Sequence, residues 1–429
     1  MSNLQLIYQK FVESRQKVCT DTRKEVKGSF FVCLKGENFD ANEMVEKALE
    51  LGAKYVLCER KDLRDNRRII YSENALQTLT NLSTHHRKKL NTFIIAIGGS
   101  NGKTTTKELL GSIFSNHAKT LVTPGNFNNH IGVPLTLLQL EKHHQFGIVE
   151  LGINHPKEME MLCKIALPDE GALTNIGKEH LEGFGDIEGV AKAESEIFQY
   201  LLENDKLAYI NTDDVWIKNM SKRLKKVVNF GHSQLDQLGI VLHDINPKIT
   251  ISIDGLKIQS SLGGDYNLSN IICSIAIARH HNVSIENVKE GIESYEPTNN
   301  RSQWVQTEKN TVLMDCYNAN PTSMSLAMNN FLQIEKENKV CILGDMLEMG
   351  ENARAEHMKI IEEARLQSSI AKFIFVGDMF YSLRDLGGFS YFKNALDLKQ
   401  VLSENSIYES TLLLKASRGI KLEQILDKL

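Results

Sequence analysis

The sequence predicts an α/β protein built in three consecutive parts. Apolar runs of strand length recur between helix-period segments. Several of these runs end in glycine or an acid, as strands do when a ligand crevice lies beyond their carboxyl ends. A chain of 429 residues also exceeds what one ordinary core encloses.

Residues 1–88 combine the short runs Ser29-Phe30-Phe31-Val32-Cys33-Leu34 and Lys54-Tyr55-Val56-Leu57 with helix-period segments. One of these, Glu43-Met44-Val45-Glu46-Lys47-Ala48-Leu49, is closed by Gly52 just past its end. A small α/β domain is expected here. The basic run His85-His86-Arg87-Lys88-Lys89 then reads as an exposed segment between domains rather than a binding patch.

Residues 89–304 alternate strands and helices, with strands at Phe146-Gly147-Ile148-Val149-Glu150, Gly171-Ala172-Leu173-Thr174-Asn175 and Lys206-Leu207-Ala208-Tyr209-Ile210. That alternation predicts a mostly parallel sheet covered by helices. Between residues 238 and 262 the pattern becomes strict alternation around Asp254-Gly255, a hairpin signal and an antiparallel appendage. Residues 305–429 hold a third series: Thr311-Val312-Leu313-Met314-Asp315, Val340-Cys341-Ile342-Leu343-Gly344, Phe373-Ile374-Phe375-Val376-Gly377 and Thr411-Leu412-Leu413-Leu414.

Composition bounds the function. With 41% hydrophobic and 24% charged residues the chain fills its cores and keeps a charged surface, and a net charge of −4 gives no nucleic-acid footprint. No apolar stretch reaches membrane-helix length, and Met1-Ser2-Asn3-Leu4-Gln5 lacks the form of a signal peptide. Seven scattered cysteines contain no Cys-x-x-Cys pair, so a reducing cytoplasm with thiols as small core residues is expected. A monomer acting on small molecules, with no nucleic acid and no membrane insertion, is the expected state.

The most informative stretch is Phe93-Ile94-Ile95-Ala96-Ile97-Gly98-Gly99-Ser100-Asn101-Gly102-Lys103-Thr104-Thr105-Thr106. An apolar strand ends in a glycine turn that opens a helix. Gly99 and Gly102 allow backbone N–H groups to approach phosphate oxygens, Lys103 can reach terminal phosphates, and Thr104 can hold magnesium. The spacing is the short form Gly-x-x-Gly-Lys-Thr, and an ordinary strand-to-helix turn that happens to carry a lysine is the alternative.

Downstream, Glu150 ends its strand where a carboxylate can share the magnesium of Thr104, or simply meet solvent. His180 sits in the Gly-rich loop Asn175-Ile176-Gly177-Lys178-Glu179-His180-Leu181-Glu182-Gly183-Phe184-Gly185, as a ligand or as a structural histidine. From Ile187 to Leu202 a helix is predicted, with Val190, Ala193, Ile197 and Leu201 on one face and Glu194 at its edge. A core-facing acid needs a partner, a metal cation or a buried base. Asn267 and Asn270 precede an apolar helix and could meet a base, although capping explains Asn267 equally. Asp315, ahead of Asn318, could accept from ribose hydroxyls or belong to a plain turn.

Taken in order, these motifs resemble those of the Mur ligases, ATP-dependent amide-bond formers of cell-wall synthesis. The resemblance covers essentially the whole chain. It starts with Asp21-Thr22-Arg23, Gly28-Ser29-Phe30-Phe31-Val32 and Leu34-Lys35-Gly36-Glu37-Asn38-Phe39-Asp40. It continues through the phosphate loop, Thr123-Pro124-Gly125-Asn126-Phe127-Asn128-Asn129, Glu150-Leu151-Gly152 and the His180 loop. Tyr317-Asn318-Ala319-Asn320-Pro321, Gly344-Asp345-Met346 and Lys415-Ala416-Ser417-Arg418 complete it.

The resemblance implies a first domain for a uridine diphosphate end, a central ATP domain and a C-terminal Rossmann-like domain for the incoming amine. Within the family the pattern is nearest the member that joins D-alanyl-D-alanine to a UDP-linked muramoyl tripeptide through an acyl phosphate. The sister ligase that adds the third amino acid usually carries Asp-Asn-Pro-Arg, which is absent here. ATP and magnesium are the implied cofactors. The implied catalytic set is Lys103, Glu150, His180, Glu194 and Arg301, with metal held by Thr104, Glu150, His180 and Glu194. Gly99, Ser100, Asn101, Gly102, Lys103, Thr104 and Thr105 would bind ATP with Asn267, Asn270, Arg301, Asp315 and Asn318. Asp21, Thr22, Arg23, Lys35 and Asp40 would lie near the uridine nucleotide. Asn126 and Asn128 would touch substrate, and Asp345, Ser417 and Arg418 would surround the dipeptide.

Two positions depart from the family pattern. Glu194 stands where relatives usually carry a carbamylated lysine; it keeps the charge, but its reach is shorter by roughly 3–4 Å. A shifted helix, or a water between Glu194 and the metal, is therefore expected. Lys192 lies on another face and cannot substitute. Asn42 stands where relatives often have histidine.

Overall fold

The computed structural model describes residues 3–429 except Glu37, Asn299 and Gly387, so Glu37 of the Lys35–Asp40 motif lies outside the described residues. The chain forms two compact units. One comprises residues up to Ile97, Ala118–Ile153 and Lys157–Gly171; the other comprises Gly98–His117, Asn154–Pro156 and Ala172–Leu429.

The first unit opens with a parallel sheet of β1 (Val18–Cys19), β2 (Phe30–Val32), β3 (Tyr55–Cys58) and β4 (Ile69–Tyr71), in that spatial order. Its strands are apolar throughout because both faces are covered. Phe31, Cys33, Val56 and Cys58 turn to one side, with Val45 and Ala48 of helix Val45–Glu50. Phe30, Val32 and Leu57 turn to the other, with Ile7 and Phe11 of the first helix and Leu79 and Leu82 of helix Ala75–Lys88.

One expectation fails here. The basic run at 85–89 is not an exposed connector; residues 85–88 form the last turn of helix Ala75–Lys88, and His86 and Arg87 are buried. His86 Nε2 lies 2.8 Å from Leu140 O, and Arg87 pairs with Asp169 at 2.7 Å while donating to Ala166 and Leu167 carbonyls. Basic groups suit a helix C-terminus, and burial of the guanidinium is tolerated because it is paired. Charge counting alone could not see those partners.

Three strands follow in this unit: β5 (Phe93–Gly98), β6 (Thr120–Val122) and β7 (Phe146–Glu150). β5 and β6 both pair in parallel with β7. β8 (Glu170–Leu173) runs beside β5, with Asp169 N–H on Ile94 O at 2.8 Å and Thr174 N–H on Gly98 O at 3.1 Å. β9 (Leu207–Asn211) and β10 (Val227–Phe230) complete a six-stranded sheet of order β10-β9-β8-β5-β7-β6. The predicted mostly parallel sheet is therefore present.

In the second unit, helix Asp265–His280 is buried on most of its surface, its mostly apolar run Ile271–Ala278 packing all round. Gly291 of helix Ile285–Ser294 is the close-approach point against Ile113 of helix Lys103–Ser115. The predicted appendage is an antiparallel sheet of β11 (Ile240–Asp244), β12 (Thr250–Ile253) and β13 (Leu256–Gln259). Its β12–β13 turn is Asp254-Gly255, both left-handed, as a two-residue hairpin of this hand demands.

The C-terminal sheet has the order β14-β15-β19-β16-β17-β18. It contains β14 (Gln303–Gln306), β15 (Thr311–Asp315), β16 (Lys339–Gly344), β17 (Ala371–Val376), β18 (Ser390–Phe392) and β19 (Thr411–Lys415). All pairings are parallel except the antiparallel edge strand β14. Because β19 returns between β15 and β16, the carboxyl ends of these three strands meet at a reversal of strand order, where doubly wound sheets bind ligands. All seven cysteines are unpaired and buried, as expected of small core residues. Among the described residues no helix is long and apolar enough to cross a membrane.

Candidate functional site

β5 is buried along nearly its whole length and delivers the chain to Gly99-Ser100-Asn101-Gly102, after which helix Lys103–Ser115 begins. Gly99 and Gly102 are left-handed, with φ of 108° and 82°. Neither tolerates a side chain: a Cβ on Gly102 would run into the Asn270 carboxamide, and one on Gly99 into Thr174. The loop is held from outside the helix. Asn175 O accepts from Ser100 N–H at 2.8 Å, Asn175 Oδ1 accepts from Asn101 N–H at 3.1 Å, and Thr174 Oγ1 donates to Asn101 O at 2.6 Å. Ser100 Oγ accepts from Gly177 N–H at 2.8 Å.

Lys103 folds back over this turn. Its ammonium donates to Gly99 O, to Ser100 O at 3.1 Å and to Glu179 Oε2 at 3.4 Å. Glu194 Oε2 accepts from Gly99 N–H at 3.0 Å. Two buried carboxylates therefore flank one lysine at the N-terminus of a helix. Burial pushes the Glu179 carboxyl above its ordinary value, and Lys103 and His180 draw it down. Burial likewise pushes Glu194 up to about 8, with Lys103 opposing the rise and Glu179 adding to it. Thr104 is buried beside Lys103, while Thr105 is partly exposed.

Glu194 is the last residue of helix Ile187–Glu194, and the predicted continuous helix breaks at Ser195 before helix Glu196–Glu203 begins. Ser195 Oγ donates back to Lys192 O at 2.7 Å, the local competition by which serine interrupts helices. Val190, Ala193, Ile197 and Leu201 are buried as predicted, and Lys192 is exposed.

His180 has left-handed backbone, φ 44°, and lies at the edge of this cluster. Its Nε2 is 3.9 Å from Glu179 Oε2 and its Nδ1 is 2.5 Å from Glu348 Oε2. The C-terminal part also reaches the phosphate loop, at Asn101, and the His180 loop, at Lys178. Asn320 Nδ2 donates to Asn101 Oδ1 at 2.9 Å, Lys178 N–H donates to Thr322 Oγ1 at 3.0 Å, and Lys178 Nζ pairs with Glu356 at 2.7 Å.

The remaining candidates divide. Asn270 is buried against the loop and accepts from Thr106 Oγ1 at 3.2 Å; its Nδ2 lies 3.4 Å from Asn267 Oδ1. Asn267 is not a cap, since the helix starts at Asp265 and its amide donates to Gly263 O at 2.8 Å. Asp315 is paired with the buried Lys415 at 2.6 Å, and Asn318 is exposed. Arg301 lies over the Tyr317 ring at 3.6 Å and Arg418 over the same ring at 5.5 Å, so one aromatic ring gathers both arginines. Asp345 accepts from Met379 and Phe380 N–H at 2.8 and 2.9 Å, and Ser417 Oγ accepts from Leu347 N–H at 2.9 Å; both side chains brace the C-terminal sheet.

In the first unit, Glu150 is buried at the end of β7 and its Oε1 accepts from Asn128 Nδ2 at 2.8 Å, while Asn126 is exposed. Asp21 and Arg23 form a bidentate pair that holds the aspartate at about 2, with Thr22 partly exposed between them. Lys35 lies 3.8 Å from Asp40, whose carboxylate caps the turn through Asn42. Asn42, the second departure, is a buried brace: it donates to Asp40 at 2.7 Å and accepts from Glu59 N–H at 2.8 Å.

Sequence reasoning passed over Glu179, Glu348, Tyr317 and Asn175. Glu179 had a signal, being the neighbour of His180 in a loop already singled out. Glu348 had none, because its partner is far away in sequence.

Comparison with known proteins agrees with this geometry. Residues 97–278 match the family profile described as the Mur ligase middle domain, and residues 300–388 that of the Mur ligase, glutamate ligase domain. The UDP-N-acetylmuramoyl-tripeptide–D-alanyl-D-alanine ligase of Bacillus subtilis is 31% identical over 96% of this chain and 92% of its own. Its counterpart in Buchnera aphidicola subsp. Baizongia pistaciae is 35% identical over 97% of this chain and 92% of its own. Among solved structures, MurF from Acinetobacter baumannii superposes with a TM-score of 0.84 at 28% identity, covering 96% of this chain and 92% of that one. MurF ligase from Thermotoga maritima, at 24% identity and a TM-score of 0.81, covers 96% of each chain and shares the fold. With both family profiles matched in order around the Lys103 loop and relatives aligned along almost the full length, this chain belongs to the Mur ligase family.

Proposed function

We propose that the protein joins D-alanyl-D-alanine to a UDP-linked muramoyl tripeptide with ATP, through an acyl phosphate. The observation that carries this is Lys103 flanked by two buried carboxylates at a helix N-terminus, in a chain aligned end to end with ligases of that name. The terminal carboxylate of the tripeptide attacks the γ-phosphate of ATP and ADP leaves. The dipeptide amine then attacks the acyl carbon, phosphate departs, and the amine loses a proton.

The ammonium of Lys103 rests on Gly99 O, Ser100 O and Glu179. On nucleotide binding it turns to the phosphates and offsets charge on the transferring group, assisted by the helix N-terminus. Arg301, over the Tyr317 ring, is the proposed second cation for the phosphates. Asn267, Asn270, Asp315 and Asn318 are the proposed nucleotide contacts. Asp21, Thr22, Arg23, Lys35, Asp40, Asn126 and Asn128 are assigned to the UDP-linked substrate, and Asp345, Ser417 and Arg418 to the dipeptide.

The residues fit magnesium. Oε1 of Glu194 is buried without a hydrogen-bond partner among the described residues, a donor that suits a cation. Magnesium takes one or two carboxylates and completes its shell with phosphates and water. Thr104, His180 and Glu194 are the proposed ligands, and Glu150 joins them on the family pattern. When bound, magnesium supplies charge neutralisation at the β- and γ-phosphates.

The proposed domains are residues 1–88 for the UDP end, 89–304 for ATP and 305–429 for the amine. The protein is proposed to be a cytoplasmic monomer, consistent with its unpaired thiols. The test is ADP release with ATP, magnesium and UDP-linked tripeptide, adding D-alanyl-D-alanine, lysine or diaminopimelate in turn. Turnover with the dipeptide alone is expected; turnover with a free amino acid, or none with any amine, overturns the reading.

A further inference from the structure

His180 is set by a residue from the C-terminal sheet, and the way that residue is held argues for a role. The turn after β16 carries Glu348 at a left-handed φ of 63°, a conformation that non-glycine side chains adopt only when their surroundings impose it. The surroundings do so here. Met346 N–H donates to Nε2 of the buried His357 at 3.1 Å, and Leu347 N–H donates to Ser417 Oγ at 2.9 Å. Glu348 O accepts from Glu182 N–H at 3.2 Å, two residues beyond His180. His180 is itself left-handed, so both ends of the 2.5 Å contact between Glu348 Oε2 and His180 Nδ1 are fixed by backbone. The Glu348 side chain is more than half exposed, and what distinguishes it from a freely rotating surface pair is the held backbone on both sides and the largely buried imidazole it meets.

We propose that Glu348 is the positioning residue for His180. Accepting from Nδ1–H, its carboxylate selects one tautomer and turns the bare Nε2 toward the Glu179–Lys103 cluster. The imidazole is therefore correctly presented only while the 345–349 turn is seated, which links docking of the C-terminal sheet to completion of the phosphate site. The orienting group of such a histidine is as consequential as the histidine. The catalytic consequence rests on the proposed function; the tautomer does not.

The test has two independent arms. In metal- and nucleotide-free protein labelled with 15N-histidine, at alkaline pH where an ordinary imidazole is neutral, two-bond proton–nitrogen spectra report the His180 tautomer. Comparison with His180→Asn identifies its signals. The Nδ1–H form is expected in the wild type and a mixture in Glu348→Ala, with Glu348→Gln, which keeps an acceptor oxygen and nearly the same shape, in between. In turnover, Glu348→Ala is expected to lower kcat by about 10–100-fold, with KM for ATP within about twofold and partial recovery in Glu348→Gln. An unchanged His180 tautomer in Glu348→Ala overturns the proposal whether or not the protein is a ligase. Loss of kcat with no recovery in Glu348→Gln and an unmoved tautomer reduces Glu348 to a structural brace. Should Glu348→Ala fail to fold, Glu348→Met, of similar length but without an acceptor oxygen, decides: a tautomer and kcat identical to wild type overturn the idea.

Discussion

Glu194 is a residue whose chemistry its surroundings change. It is fully buried, one oxygen holds Gly99 N–H, and burial raises its carboxyl to about 8. A folded value above the unfolded one, about 4.3, means that the native state holds this proton more tightly than the unfolded chain. The stabilising contribution is complete below the unfolded value and is lost as pH climbs through the folded one. In metal-free protein the wild type should lose melting temperature between about pH 4 and pH 8 relative to Glu194→Gln, whose amide cannot ionise, and the difference should level off above that range; parallel curves would refute this. The same residue replaces a carbamate in the family pattern. Added bicarbonate should leave turnover unchanged, and Glu194→Ala should cost about 10–100-fold; stimulation by bicarbonate would sink the replacement idea. The glutamate was visible in the sequence as a core-facing acid on a helix. Its hold on Gly99, 95 residues away, was not.

At the scale of elements, the strand–turn–helix of residues 93–115 sets the site because its geometry leaves no room for side chains. Gly102 is left-handed and its missing Cβ is occupied by Asn270. Gly102→Ala should cost about 1–3 kcal/mol in a denaturant melt and weaken ATP binding in calorimetry, because the collision pushes the loop off helix Asp265–His280. Unchanged nucleotide affinity would show that the loop relaxes freely. This element was legible because glycine, lysine and threonine spacing is local. The β11–β13 hairpins were equally legible, since Asp254-Gly255 and period-two alternation are both short-range signals. The helix Ala75–Lys88 was misread at its end, because five polar letters in a row look solvated unless Leu140, Asp169 and the Ala166 carbonyl are already in place. The break at Ser195 was missed for a similar reason: apolar periodicity runs straight through it.

For the molecule as a whole, polar contacts from the C-terminal part reach both the phosphate loop and the His180 loop. Asn101–Asn320, Lys178–Thr322 and Lys178–Glu356 span 219, 144 and 178 residues of sequence. Burial alone would raise the Glu356 carboxyl, but Lys178 and Lys359 outweigh it and hold it below its ordinary value. Stability from this pair is therefore present above the ordinary carboxylate range and lost as pH falls through the lowered value. A double-mutant cycle on Lys178→Ala and Glu356→Gln should return a coupling of about 0.5–3 kcal/mol that shrinks on acidification. Additive mutations at neutral pH would mean that the contact is incidental.

By itself the sequence determined the α/β class, the parallel central sheet, the hairpin appendage, the strands β15, β16, β17 and β19, and the loop with Lys103. All of these are written in periodicities of two or 3.6 and in short spacings, which neighbouring residues impose on one another. Only the tertiary structure decided that Glu179 meets Lys103, that Glu194 grips Gly99, that Arg301 and Arg418 share Tyr317, and that Glu348 orients His180. Those pairings join side chains from separate elements, and side-chain partnership across a fold follows from three-dimensional packing and electrostatics, to which local sequence pattern is blind.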